Sequence, residues 1–157
     1  MTSEGGFRLP WRRSRPAAAI EHLPPAVQRH IVSLKLGPDT ARRTREAVAR
    51  HLPDAGVALN SAFADAVLLV TSELVTNVLR HAAHSPVIDV GLTRSAGQLV
   101  VSVADAEPRL PDLTADGMGA GLRMVTEVAA DYDGDLSAEP AVDHDGKVVL
   151  VRLRMPS

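Results

Sequence analysis

The sequence contains no cysteine, which excludes disulfide bonds and thiolate metal sites. Aromatic residues make up only 3% of the chain, so the core must be built from valine, leucine, isoleucine and alanine. The formal net charge of −2 provides no global attraction to nucleic acid. No apolar run approaches the roughly 20 residues of a membrane span, and no secretion signal is visible. We therefore expect a cytoplasmic protein that binds neither a membrane nor nucleic acid directly.

What is present is a chain of 157 residues, 45% of them hydrophobic, which suits one domain with a substantial core. Residues 1–28 carry repeated prolines and glycines and predict a flexible N-terminal tail. The stretch "WRRSR" in this tail is more typical of solvated arginines than of a contact with a membrane surface or an acidic partner. Residues 29–157 are then expected to form the folded domain.

The order of the predicted elements is that of an α+β fold. Alternating apolar residues predict strands at 30–36, 87–92, 99–105 and 147–155. Helix-forming stretches occupy residues 41–52, 61–84 and 121–132. Helices and hairpins in separate runs predict a two-layer sandwich, in which a mixed, mostly antiparallel sheet carries its helices on one face.

The second predicted helix contains the stretch "SELVTNVLRH", in which polar residues form a stripe. Glu73, Asn77, Arg80 and His84 share one side of a helical wheel, next to the apolar side. By geometry alone, a solvated outer face is the simpler explanation. A carboxylate can, however, take a proton from an attacking hydroxyl, and an amide oxygen can bind hydrated Mg²⁺. The stripe therefore leaves two hypotheses open: a solvated surface or a site of phosphate chemistry.

A glycine-rich segment, "DGMGAGLRMV", leads into the third predicted helix. Small residues there would let backbone N–H groups approach an anion at the helix N-terminus. The spacing G-x-G-x-G differs from the G-x-G-x-x-G of dinucleotide folds, and the sequence has no Walker-type G-x-x-x-x-G-K-[ST]. Alone, these glycines favour a phosphate site no more than a flexible loop before a helix.

Taken together, the motifs resemble the GHKL, or histidine-kinase-like, ATPase superfamily. Within it the chain is most similar to stand-alone bacterial serine/threonine kinases that act as anti-sigma factors. "SELVTNVLRHA" resembles their N-box, "VSVADAEPRLP" their shortened first glycine box and "GAGLRMVTEVAADYDG" their second. The resemblance covers about residues 28–155 and implies the Bergerat fold, in agreement with the order of elements. Two departures are the lack of a glycine after Asp105 and the presence of Ala120 where relatives often carry arginine.

The resemblance implies a role for each matched residue. It implies that Glu73 is the general base and that Asn77 holds Mg²⁺. It also implies that Asp105 accepts a hydrogen bond from the adenine amino group, while the glycines cradle the phosphates. The full set of implied ATP-binding residues is Asn77, Arg80, His81, Asp105, Gly119, Gly121 and Leu122.

The resemblance further implies a function in transcription regulation. The protein would phosphorylate an anti-sigma-factor antagonist and bind a sigma factor, with a homodimer as one implied assembly. Since no phosphoacceptor helix or membrane sensor precedes the domain, we do not expect a complete two-component sensor kinase. The first box, which is poor in glycine, keeps an alternative open. In that alternative the protein sequesters a partner, with ATP as a regulatory ligand or without any nucleotide.

Overall fold

The computed structural model describes residues 27–157, so the predicted tail, apart from residues 27 and 28, lies outside the described residues. The described chain contains five strands, three α-helices and one short 3₁₀ helix. In chain order they are β1 (Gln28–Lys35), α1 (Thr40–His51), the 3₁₀ helix (Pro53–Ala55), α2 (Ala62–His81), β2 (Val87–Ser95), β3 (Gln98–Asp105), α3 (Ala120–Asp131), β4 (Asp135–Pro140) and β5 (Lys147–Arg154).

The strands form one sheet in the order β1-β2-β3-β5-β4. Every pairing in it is antiparallel, where the sequence had suggested a mixed sheet. The hairpin between β2 and β3 turns through Ala96 and Gly97, which both have positive φ, as a tight hairpin turn requires. The predicted fold class, an α+β sandwich of the Bergerat type, is confirmed.

The core lies between the sheet and the helices and is aliphatic, as the scarcity of aromatic residues requires. Alternate residues of the central strands are buried, so one face of the sheet is covered. The apolar side of α2 is buried against the core through Val67, Val70, Leu74 and Val78. Full burial of each such side chain contributes about 1.5–3 kcal/mol, which fixes the orientation of α2 and therefore of its polar stripe.

Helix α2 ends three residues earlier than the sequence predicts. Its last helical residue is His81, and the N–H of Ala82 donates to the carbonyl oxygen of Val78 at 2.7 Å. His84 lies beyond the helix, so its predicted place in the polar stripe is wrong. The chain turns because the buried Ser85 donates its hydroxyl to the carbonyl of Val87.

By length and composition alone, α2 is apolar enough to cross a membrane. The core helix of a soluble protein meets the same criterion. In this fold one side of α2 packs into the core, and the other side carries the polar stripe described above.

Candidate functional site

A cleft of about 370 Å³ lies along the polar side of α2. The start of α3 and the segment that joins β3 to α3 form its other walls. All predicted site residues except Asp105 line this cleft, and they come from two separate parts of the chain. They are Glu73, Asn77, Arg80, His81, Gly119, Gly121 and Leu122.

Glu73 and Asn77 lie one turn apart on α2 and are both half-buried. Within residues 27–157, neither side chain hydrogen-bonds to another protein group. A Cβ atom at Gly121 would lie 2.5 Å from the Oε1 atom of Glu73, so a larger residue there would require the carboxylate to move. The cleft therefore holds a carboxylate and an amide whose hydrogen-bonding capacity is available to a ligand.

Helix α3 begins at the cleft with its N-terminus uncapped by any side chain. Gly119 is the N-cap residue, it makes no side-chain hydrogen bond, and the first turn contains no acidic residue. A Cβ atom at Gly119 would meet no atom of residues 27–157 within 4 Å, so the packing of this part of the chain does not require a glycine there. Free N–H groups and the positive end of the helix dipole suit an anion, and phosphate is the anion most often bound in this way.

Arg80 and His81 stand at the rim of the cleft and are exposed. They follow Asn77 on α2 and form no ion pair within the described part of the chain. Arg80 adds positive charge near the start of α3, which suits an anionic ligand, and the His81 ring offers a hydrogen-bond donor.

The segment from residue 106 to 118 covers one side of the cleft and is held by local hydrogen bonds. Asp112 accepts hydrogen bonds from the hydroxyl and the backbone N–H of Thr114, at 2.7 and 2.9 Å. These two bonds lower the pKa of Asp112, with the hydroxyl contributing most. Arg123 of α3 donates to the carbonyl of Met118 at 3.0 Å, which ties the end of the segment to the helix.

Asp105 differs from the other predicted site residues because it is covered. Its Oδ1 and Oδ2 atoms accept hydrogen bonds from the Nζ atom of Lys147 at 2.9 and 2.7 Å. The Asp105 side chain is only 1% exposed and the Lys147 side chain 4% exposed. It is Lys147, and not Asp105, that lines the cleft. This end of the cleft therefore presents an ammonium group backed by a carboxylate.

The sequence analysis did not predict Lys147 as a site residue, nor the lining residues of the segment that joins β3 to α3, which are Glu107, Arg109, Leu110, Pro111, Asp112 and Gly117. Lys147 begins the most strongly alternating strand, which the sequence analysis took only as a structural element. Glu107 accepts a hydrogen bond from the N–H of Arg109 at 2.7 Å, and this bond is the main cause that lowers the pKa of Glu107. The charged letters after "SVAD" were the available signal for both residues.

The family model described as "Histidine kinase-, DNA gyrase B-, and HSP90-like ATPase" matches residues 63–157, which is more than half of the chain. The match contains α2 from its second residue onward, the segment from residue 106 to 118, which we call the lid segment, and α3, and it includes every residue of the cleft named above. No curated protein matches the chain.

Solved histidine kinases share the fold. The catalytic domain of histidine kinase ThkA is 15% identical, with a TM-score of 0.50, and the alignment covers 82% of this chain and 99% of that one. The blue-light activated histidine kinase of Erythrobacter litoralis EL346 is 20% identical, with a TM-score of 0.50, over 78% of this chain and 46% of that one. Its histidine kinase domain is 24% identical over 59% of this chain and 44% of that one, with a TM-score of 0.44. The chain thus spans less than half of either Erythrobacter chain, and identities this low concern the fold alone.

Proposed function

We propose, because the chain belongs to the family of histidine kinase-, DNA gyrase B- and HSP90-like ATPases, that it is an ATP-dependent serine/threonine kinase. Membership of this family implies ATP binding. The finer proposal, a kinase that acts on an anti-sigma-factor antagonist, rests on the three motifs that resemble such kinases. It is supported by one observation above all: Glu73 and Asn77 face the cleft beside the uncapped start of α3, and neither side chain has a hydrogen-bond partner within residues 27–157.

The residues of the cleft fit a nucleoside triphosphate with its metal ion. The N–H groups at the start of α3 would hold phosphate oxygens, and Gly119 leaves room for them. Asn77 would hold Mg²⁺, whose charge offsets that of the phosphates. Arg80 at the rim adds positive charge on the same side, and His81 beside it offers a ring N–H.

Glu73 is the residue proposed to handle the proton. As the serine or threonine oxygen of the partner forms its bond to the terminal phosphorus, the bond from that phosphorus to the leaving ADP oxygen breaks. The hydroxyl proton passes to the Glu73 carboxylate, which is suited to general-base catalysis. No other protein group hydrogen-bonds to this carboxylate within the described residues, so it is free to accept the proton.

The proposed partners are an anti-sigma-factor antagonist as substrate and a sigma factor as the sequestered protein, in the cytoplasm and with this chain as a possible homodimer. Phosphorylation adds about −1.5 to −2 charges, which would drive the antagonist away by repulsion and by the cost of desolvation. The kinase would then be free to bind its sigma factor. Phosphorylation thus controls transcription in this proposal.

The test is transfer of labelled phosphate from ATP to antagonist proteins encoded beside this chain. We expect the wild type to label a serine or threonine, and Glu73→Gln to reduce the rate by about 100-fold or more while ATP affinity changes little. Glu127→Gln is the matched control, because Glu127 is an exposed carboxylate on α3 that does not line the cleft. Undiminished transfer by Glu73→Gln would remove Glu73 from the role of base.

A partner-sequestering module is the second candidate, and the covered state of Asp105 favours it. If the end of the cleft at Asp105 does not accept the base of a nucleotide, the protein would act by binding a partner protein alone. Calorimetry with ATP and Mg²⁺ separates the two functions. ATP binding without transfer to any antagonist, or no ATP binding at all, would favour the module over the kinase.

A further inference from the structure

The pair formed by Asp105 and Lys147 is built by the sheet itself. Asp105 ends β3 and Lys147 begins β5, and the two residues are direct partners in the antiparallel register. Gly146, just before Lys147, packs so closely on the backbone carbonyl of Asp105 that a Cβ atom there would overlap it. The backbone therefore holds the carboxylate and the ammonium side by side at one end of the cleft.

The pair has donor and acceptor positions that the described residues do not use. An ammonium has three protons and a carboxylate about four acceptor positions. Lys147 uses two protons on Asp105. Asp105 uses one further position to accept the N–H of Glu107 at 2.8 Å. Within the described residues, one donor on Lys147 and one acceptor on Asp105 therefore remain, on adjacent groups.

The pair is buried, and this decides how a ligand would use it. Removing either partner would leave an uncompensated charge at a site that is almost closed to solvent. A ligand that adds to the pair is therefore favoured over one that breaks it. Such a ligand must present a hydrogen-bond donor and an acceptor side by side.

We propose that Lys147 is a base-specificity residue, and that together with Asp105 it recognises the edge of adenine that carries N6 and N1. The N6 amino group donates to Asp105, and the ring N1 accepts the third proton of Lys147. This inference rests on the proposed ATP site and adds a residue that reads the base. Guanine presents O6 and N1–H in the reverse order, so in the same orientation its O6 would oppose the carboxylate of Asp105.

The test compares ATP, GTP and 1-deaza-ATP, in which a C–H group replaces N1, by calorimetry with Mg²⁺. We expect the wild type to bind 1-deaza-ATP about tenfold more weakly than ATP, because one charged hydrogen bond is lost. GTP should bind more weakly than ATP. Lys147→Met should bind ATP and 1-deaza-ATP equally, whereas Lys35→Met, which changes an exposed lysine of β1, should keep the wild-type preference.

Three results would overturn the inference. They are equal binding of ATP and 1-deaza-ATP by the wild type, tighter ATP binding by Lys147→Met, and a preference for GTP. The first comparison needs no variant, so it decides the matter even if Lys147→Met fails to fold. If the protein prefers ATP to 1-deaza-ATP but transfers no phosphate, the proposed kinase is contradicted and this inference stands. If it transfers phosphate but binds ATP and 1-deaza-ATP equally, the kinase stands and this inference is contradicted.

Discussion

The two ends of the cleft are built in opposite ways. At the α3 end, the described residues leave the space around Gly119 empty and provide no side-chain cap for the helix N-terminus. At the β3 end, Asp105 accepts two hydrogen bonds from Lys147 and one from the backbone N–H of Glu107, and it is almost completely covered. The α3 end, which we call the open end, leaves its hydrogen-bonding groups to a ligand. The β3 end, which we call the closed end, has already paired most of them within the protein.

The difference shows how a fold can divide the recognition of a nucleotide. Phosphates are much the same in all nucleotides, so backbone N–H groups and a helix dipole suffice to bind them. A base must be distinguished from other bases, which requires side chains with fixed donors and acceptors. Packing around Gly146 and the register of β3 with β5 provide that fixed geometry.

The largest expected effect comes from Gly146→Ala, at the closed end. The added methyl group would overlap the backbone carbonyl of Asp105, which cannot move without disturbing the β3–β5 pairing. We expect a loss of about 1–3 kcal/mol in the free energy of unfolding, measured by urea denaturation. Gly37→Ala is the control, because its nearest neighbour would be a side-chain atom of Asp39 at 3.8 Å. Equal stability of the two variants would mean that the closed end is not tightly packed.

A contrasting effect is expected from Gly119→Ala, at the open end. The methyl group meets no protein atom, so stability should fall by less than about 1 kcal/mol. It would, however, occupy the space through which a phosphate approaches the backbone. We expect ATP affinity to fall by about tenfold in calorimetry, while Gly37→Ala binds ATP like the wild type. Unchanged affinity in Gly119→Ala would place the phosphates elsewhere.

The smallest effect concerns the lid segment beside the open end. The Thr114 hydroxyl is the main cause that lowers the pKa of Asp112, so Thr114→Val should raise this pKa towards its ordinary value. Because the folded-state pKa is lowered, the contribution of Asp112 to stability is present above its ordinary pKa and is lost as the pH falls through the lowered value. A carboxyl NMR titration of both proteins measures the shift, and identical titration curves would contradict the assignment.

The sequence was sufficient to predict the open end but not the closed one. The glycines and the polar stripe lie within short segments, and their joint resemblance to the motifs of a known family identified them as a candidate site. The pairing of Asp105 with Lys147 joins residues 42 positions apart and depends on the register of two strands. Nothing in "KVVLVRLRM" itself indicates which residue its lysine faces.

The end of α2 was missed for a related reason. Helical periodicity continued to His84, but the chain leaves the helix after His81. Beyond the helix, the Ser85 hydroxyl donates to the carbonyl of Val87 and accepts the N–H of Ala106 at 3.0 Å from a distant part of the sequence. These two hydrogen bonds of Ser85 hold the chain in a turn where the local pattern predicts helix, and the second one anchors the chain just after Asp105.

The central claim is that one nucleotide spans both ends of the cleft, and a crystal structure with Mg²⁺ and a non-hydrolysable ATP analogue tests it most directly. We predict phosphate oxygens within hydrogen-bonding distance of the backbone N–H groups of residues 119–122, the metal at Asn77, and the adenine edge against Asp105 and Lys147. An analogue bound elsewhere, or bound in the cleft with its base away from this pair, would contradict the account.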